Sequence, residues 1–178
     1  MVLERVSLSL IRLTSFQNWA VESSVIAQKN FLIVGGTGFI GSALVRTLIN
    51  LDETVYCLAF ADRQQKSRLT SIFGNRVIEA AANDAAEIQR ALAGIRADIV
   101  INLAGAGIKL NERTAVNLSD GNRRLTVNLL KGCADDPPKL FIQAGSWSEY
   151  DAGADRQPIA EDHPLTTKPG YGAAKTAS

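Results

Sequence analysis

Apolar positions in this chain come in short blocks whose period switches between that of a strand and that of a helix. Residues 31–34 are wholly apolar and run into Gly35-Gly36, the pattern of a strand buried on both faces. Across residues 39–51, Ile40, Leu44, Val45, Leu48 and Ile49 recur at helical spacing. Residues 54–60 are rich in β-forming side chains, and residues 76–78 offer a short third strand. Residues 84–93 read as a helix with Ile88 and Leu92 on one face. Another buried strand follows at 97–103 and runs into Ala104-Gly105-Ala106-Gly107. Residues 117–133 are helical by period, and Asp135-Asp136-Pro137-Pro138 closes that helix before a strand at 139–144. Strands that alternate with helices need crossover connections, so the pattern predicts an α/β fold on a parallel sheet.

Residues 1–29 stand apart. Val2, Leu3, Val6, Leu8, Leu10, Ile11 and Leu13 form a weak amphipathic pattern broken by Glu4, Arg5 and Arg12. Arg12 splits any signal-peptide core and no small-residue cleavage site follows, while Glu4 and Glu22 argue against a transit peptide. The expectation is a helical or disordered extension ahead of a domain spanning residues 30–178.

Composition narrows the class. The 178 residues are 46% hydrophobic and 21% charged, enough for one domain with a substantial core. Lys and Arg number 19 against 18 Asp and Glu, so no surplus of cations is available to neutralise phosphates and no nucleic-acid partner is expected. No apolar run reaches the roughly 18 residues of a spanning helix, so no membrane partner is expected either. Cys57 and Cys133 make neither a disulfide framework nor a zinc site; they read as buried hydrophobes in a reducing compartment, and the expected location is the cytoplasm. His163, the single histidine, has no partners for metal or acid–base work.

The strongest local signal is Gly35-Gly36-Thr37-Gly38-Phe39-Ile40-Gly41, set between an apolar strand and an amphipathic helix. Gly35 and Gly38 let backbone approach a pyrophosphate, free N–H groups at the helix start bind the anion, and Gly41 lets the helix lie close to the strand. A glycine-rich turn without a ligand is the alternative; the strand–loop–helix context favours dinucleotide binding.

With these residues the chain resembles the extended branch of the short-chain dehydrogenase/reductase superfamily, home of NAD(P)-dependent nucleotide-sugar epimerases and dehydratases. The resemblance runs from about Asn30 to the last residue and implies a Rossmann-type, doubly wound parallel sheet, incomplete on its C-terminal side. It implies that Phe39 and Ile40 join the glycines against the cofactor. Leu103, Ala104 and Gly105 match a segment that lies along the cofactor, and Asn122, ahead of Asn128-Leu129-Leu130, matches the family's helix asparagine. Two departures stand out. Where the family places an acidic residue for the adenosine ribose of NAD, this chain has Ala59; the missing carboxylate and nearby Arg63 favour NADP slightly over NAD, although Asp62 could take the ribose role. Ala80-Ala81 replaces a Gly-Asp that lies near the adenine in the family.

Tyr171 and Lys175 project from one helix face a turn apart. A phenol titrates near pH 10, too high for a base at neutral pH, and a neighbouring ammonium favours the phenolate. The resemblance implies that Tyr171 is the base, that Lys175 assists it and holds the nicotinamide ribose, and that Ser146 orients the substrate, with Ser148 as runner-up. Pro169 is placed to start the helix. The implied activity is hydride transfer on a nucleotide sugar by an enzyme that is a homodimer in full-length form. Ser146-Trp147 lacks the acidic residues that follow the hydroxyl in dehydratases, which favours an epimerase or reductase. In the family the helix and a substrate lobe continue beyond the position of Ser178. The alternative is therefore a non-catalytic dinucleotide-binding fragment.

Overall fold

The computed structural model describes residues 28–60, 76–81, 83–107, 113–151, 158–166 and 168–178. The predicted extension lies outside these residues except for its last two positions. Five strands form one parallel sheet: β1 (Asn30–Val34), β2 (Thr54–Phe60), β3 (Val77–Ala80), β4 (Ile99–Asn102) and β5 (Leu140–Gln143), in the order β3-β2-β1-β4-β5. The registers are parallel throughout, for example Leu32 beside Tyr56 and Val100, and Ile101 beside Ile142.

Strand alternation sends the central residues of β1 to two different cores. Phe31 and Ile33 pack with Val45, Leu48, Val55 and Cys57 beneath α1 (Phe39–Asn50). Leu32 and Val34 pack on the opposite face with Ile88, Val100, Leu125 and Leu129. That second face is covered by α2 (Ala85–Ala91) and α4 (Leu125–Gly132). A strand covered on both sides has no polar face, which is why residues 31–34 are an unbroken apolar run. The sheet is thus doubly wound, as the family resemblance implies.

The amino ends of the strands are tied by Asp98. Its carboxylate accepts from the Asn30 N–H at 3.0 Å and pairs with the Lys139 ammonium at 2.8 Å. These bonds fasten the entry to β4 to those of β1 and β5. They hold the carboxyl of Asp98 below its ordinary range, the bond from Lys139 acting most strongly and the Asn30 N–H next.

The element boundaries lie close to the expected ones, with two differences. The helix predicted over 117–133 starts earlier, at α3 (Ala115–Leu118), where the Thr114 hydroxyl accepts from the Asn117 N–H at 3.2 Å as its N-cap. It then widens into a π-helical segment (Ser119–Arg124) before α4. At Gly121 within this segment a Cβ would sit 2.4 Å from the Ala106 Cβ, so the turn lies directly on the loop after β4. The second difference is at α5 (Tyr171–Thr176), which does not start at Pro169. Gly170 holds φ at 143°, outside the helical region, so the turn it shares with Pro169 precedes the helix.

Candidate functional site

The sheet order reverses between β1 and β4, and the loops leaving their carboxyl ends run to helices on opposite faces. An open α/β sheet forms its crevice at such a point. Here a cleft of about 470 Å³ is lined by Gly35, Gly36 and Thr37 after β1, Ala104, Gly105 and Ala106 after β4, Leu58 and Phe60 of β2, and Asn83 and Gly121. A larger cleft, about 670 Å³, lies toward the amino end of β4 among Arg90, Arg96, Cys133 and Asp136. No candidate site residue lines it, so chemistry assigns the smaller one.

Backbone packing shapes the glycine loop. Gly35 holds φ at 87°, and a Cβ there would lie 2.8 Å from the Ala104 nitrogen. A Cβ on Gly41 would lie 2.1 Å from the Gly35 carbonyl oxygen. Both loops and α1 are therefore in backbone contact, closer than any side chain would permit. Gly38 is the N-cap of α1, donates its N–H to the Gly35 oxygen at 3.0 Å, and has no side chain to cap the first turn. Phe39 and Ile40 lie on the open side of that turn, 95% and 67% exposed, and do not line the cleft.

Ala59 is buried in β2, against the α1-side core with Ile33 and Cys57. Asp62 and Arg63 lie outside the described residues. Ala80 is buried at the end of β3, and Ala81 lines the cleft.

The loop after β4 is held by an Asn102 side chain buried at the strand end. Its Oδ1 accepts from the Ala104 N–H at 3.1 Å, and its Nδ2 donates to Gln143 Oε1 at 2.9 Å. Asn122 stands behind that loop in the π segment. Its Nδ2 donates to the Leu118 and Ala106 carbonyls at 2.8 and 3.1 Å. Its Oδ1 is buried and has no hydrogen-bond partner among the described residues. A Cβ built on Gly105 would sit 2.9 Å from that oxygen and 3.9 Å from Lys175 Nζ. Asn122, Gly105 and Lys175 thus converge on one spot.

Lys175 is 6% exposed, and burial pushes its ammonium below the ordinary lysine range, with the Glu149 carboxylate acting in the opposite sense. Tyr171, one turn earlier on α5, packs its ring beside Gly107, whose Cβ position is 3.0 Å from the ring edge. The Arg113 guanidinium lies 5.7 Å from the centre of the Tyr171 ring and donates to the Gly107 carbonyl at 2.9 Å.

Ser146 caps a 3₁₀ turn (Trp147–Glu149): its hydroxyl accepts from the Ser148 N–H at 3.2 Å, and its N–H donates to Glu149 Oε1 at 2.6 Å. The hydroxyl keeps its proton for donation. His163 bonds the Asp151 carbonyl at 2.9 Å across the loop. Among the described residues no cluster of His, Cys, Asp or Glu could hold a metal ion, and no helix is long and apolar enough to cross a membrane.

The model of the NAD dependent epimerase/dehydratase family matches residues 31–178. This chain belongs to that family. A comparison with curated proteins finds no match. Among solved structures, a UDP-galactose 4-epimerase is 26% identical to this family member over 83% of this chain and 48% of its own, with a TM-score of 0.62. The UDP-Glc/GlcNAc 4-epimerase from Campylobacter jejuni, 21% identical, shares the fold over 84% of this chain and 46% of its own at a TM-score of 0.69. So does the Bordetella bronchiseptica enzyme WbmG in complex with NAD, 22% identical, over 87% and 49% at a TM-score of 0.72. The chain spans about half the length of these structures.

Three residues of this epimerase/dehydratase family member escaped the sequence reading of the site. Asn83 lines the cleft, donating to the Asp120 carbonyl at 3.1 Å and accepting on its own carbonyl from Asn128 at 2.8 Å. Its only signal was its place directly before the helix-capping Asp84. Gly121 was hidden because no local turn requires it, and Arg113 because nothing local distinguishes it from a solvated charge.

Proposed function

We propose that this chain binds NAD or NADP in the cleft between the loops after β1 and β4, within an epimerase/dehydratase-type oxidoreductase that acts on a nucleotide sugar by hydride transfer. The observation that carries this reading is the convergence of buried Lys175, Gly105 and the Asn122 Oδ1, which has no partner among the described residues, beside the cleft, with Tyr171 one turn from Lys175. An orphaned buried oxygen costs free energy unless a ligand or ordered water supplies a donor. The residues fit a dinucleotide: Gly35, Gly36 and the uncapped start of α1 offer N–H groups to phosphates, while Gly105 leaves open surface where a side chain would intrude.

When bound, the nicotinamide ring supplies a hydride acceptor and donor. The chain's own residues manage the proton. Tyr171 takes it from the reacting hydroxyl, the Lys175 ammonium stabilises the negative charge that develops on the phenol oxygen, and the Ser146 hydroxyl orients the reacting oxygen by hydrogen bonding. Ala59 in place of a carboxylate supports NADP over NAD. The wider reading includes a cytoplasmic enzyme that is a homodimer in full-length form, with residues 1–29 outside the nucleotide domain.

A non-catalytic dinucleotide-binding role is the second reading. It is favoured by the cleft lining, which takes in Gly35 and Gly105 but neither Ser146 nor Tyr171. Titration with NADPH and NADH, followed by nucleotide fluorescence, tests the shared premise: saturable binding is expected, tighter for NADPH, and no binding of either refutes both readings. Turnover of UDP-glucose or UDP-galactose that falls by about 10²-fold or more in Tyr171→Phe supports the enzyme. Unchanged turnover overturns the catalytic assignment.

A further inference from the structure

We propose that Arg113 is a substrate-binding residue, its guanidinium held over the Tyr171 ring to receive an oxyanion of the nucleotide sugar, a carboxylate on the sugar or a phosphate. The proposal rests on the catalytic reading of Tyr171 above and gives that site a residue that neither the glycine loop nor the Tyr-x-x-x-Lys pattern includes.

Three contacts fix the guanidinium. Its Nε donates to the Gly107 carbonyl at 2.9 Å, and its carbon lies 5.7 Å from the centre of the Tyr171 ring. The stem packs on Gly107 as well, since a Cβ there would stand 3.7 Å from Arg113 Cγ. Gly107 has no room for a side chain. Its φ is 95°, and a Cβ would meet Leu118 at 2.4 Å and the Tyr171 ring at 3.0 Å. The loop leaving β4 thus carries the carbonyl that holds Arg113 and packs against the tyrosine that Arg113 covers.

The chemistry left unbonded points to an anion. Arg113 is exposed, and with Nε occupied its two Nη groups have no hydrogen-bond partner among the described residues. No carboxylate among those residues pairs with it either; Asp120, on the π segment packed on α5, pairs with Arg124 at 3.5 Å. A guanidinium presents its donors in a planar fork and has no acceptor, which suits the paired oxygens of a carboxylate or phosphate. Because the fork is already pinned, a ligand need not immobilise a long side chain on binding. Position decides which molecule brings the anion. Arg113 is not part of the lining of the cofactor cleft, and the phenol it covers is the group that meets the reacting hydroxyl. An oxyanion there belongs to the molecule that carries that hydroxyl, not to the dinucleotide.

Two variants of the full chain test this. Arg113→Met keeps a stem against Gly107 but removes the charge and the fork; Arg113→Lys keeps the charge alone. Calorimetric titrations use NADPH, then UDP-glucuronate and UDP-glucose added to protein saturated with NADPH. In Arg113→Met, UDP-glucuronate is expected to bind about tenfold more weakly or worse, with NADPH affinity and melting temperature close to wild type. Arg113→Lys is expected to fall between the two. A loss confined to UDP-glucuronate assigns the oxyanion to a sugar carboxylate, and an equal loss for UDP-glucose assigns it to a phosphate. Unchanged affinity for both nucleotide sugars overturns the proposal, as does wild-type protein that binds neither. A parallel loss of NADPH affinity also overturns it, because Arg113 would then only brace the loop after β4; unfolding of both variants counts the same way. Failure of the catalytic reading shows separately, as unchanged turnover of UDP-glucose and UDP-galactose in Tyr171→Phe, and leaves these affinities as measured.

Discussion

A Cβ on Gly172 would stand 2.0 Å from the carbonyl oxygen of Ser148, and 2.9 Å from the Thr166 methyl. The helix carrying Tyr171 and Lys175 and the turn capped by Ser146 therefore meet backbone to backbone. No rotamer change can relieve a clash with a carbonyl oxygen, so Gly172→Ala must move one element. We expect a loss of about 1–3 kcal/mol in urea unfolding, with turnover falling by more than the stability change explains. A variant with wild-type stability and activity would show that the turn yields freely.

The contact of Gly41 with Gly35 supplies a second prediction. Gly41→Ala puts a methyl group into the Gly35 carbonyl and pushes α1 off the loop. Nucleotide binding should weaken at least about tenfold, since displaced N–H groups no longer converge on a phosphate, and stability should fall by about 1–3 kcal/mol. Fluorescence titration with NADPH and thermal melting measure the two effects.

Lys175 gives stability a pH dependence of known sign. Its folded-state pKa lies below the ordinary value near 10.4, so between the two the unfolded chain holds a proton that the folded chain lacks. Stability then rises with pH across that window, and the penalty for a buried ammonium is fully present below it. Lys175→Met should be more stable than wild type at neutral pH and should lack the alkaline rise. Urea midpoints from pH 7 to 10 test this, and a parallel rise in the variant would contradict it.

Asp98 works in the acid range. Its pKa is lowered by the Lys139 bond and the Asn30 N–H, so its contribution is present above the unfolded value near 3.9 and is lost as pH falls through the lower folded value. Asp98→Asn should melt lower than wild type at pH 7, and the difference should shrink toward pH 2. A constant difference would show that the side chain acts by packing.

Burial drives the Cys57 thiol up to about 12 and raises that of Cys133. At pH 8 the thiolate fraction of Cys57 is about 10⁻⁴, so alkylation of native protein should proceed only through opening. Modification by iodoacetamide should accelerate in step with added urea. Fast labelling of Cys57 in the native state would contradict its burial on β2 beneath α1.

Much of this molecule was legible in the order of its residues. Residues 31–34 and 97–103 announce buried parallel strands because an element covered on both faces has no polar side to show. The glycine loop and the Tyr171–Lys175 pair are local patterns, set by spacing along one turn or one helix face, so period alone places them. Other features exist only once distant segments meet. The π segment lies where Gly121 reaches Ala106, the Asn122 oxygen has no partner among the described residues while its amide is held by Leu118 and Ala106, and the Ser148 carbonyl meets Gly172 on a later helix. Sequence spacing determined which residues could share a face. Only the packing of the β4 loop, the Ser146 turn and α5 against one another determined which polar atoms are satisfied and which charge is buried, because desolvation and backbone contact depend on neighbours far along the chain.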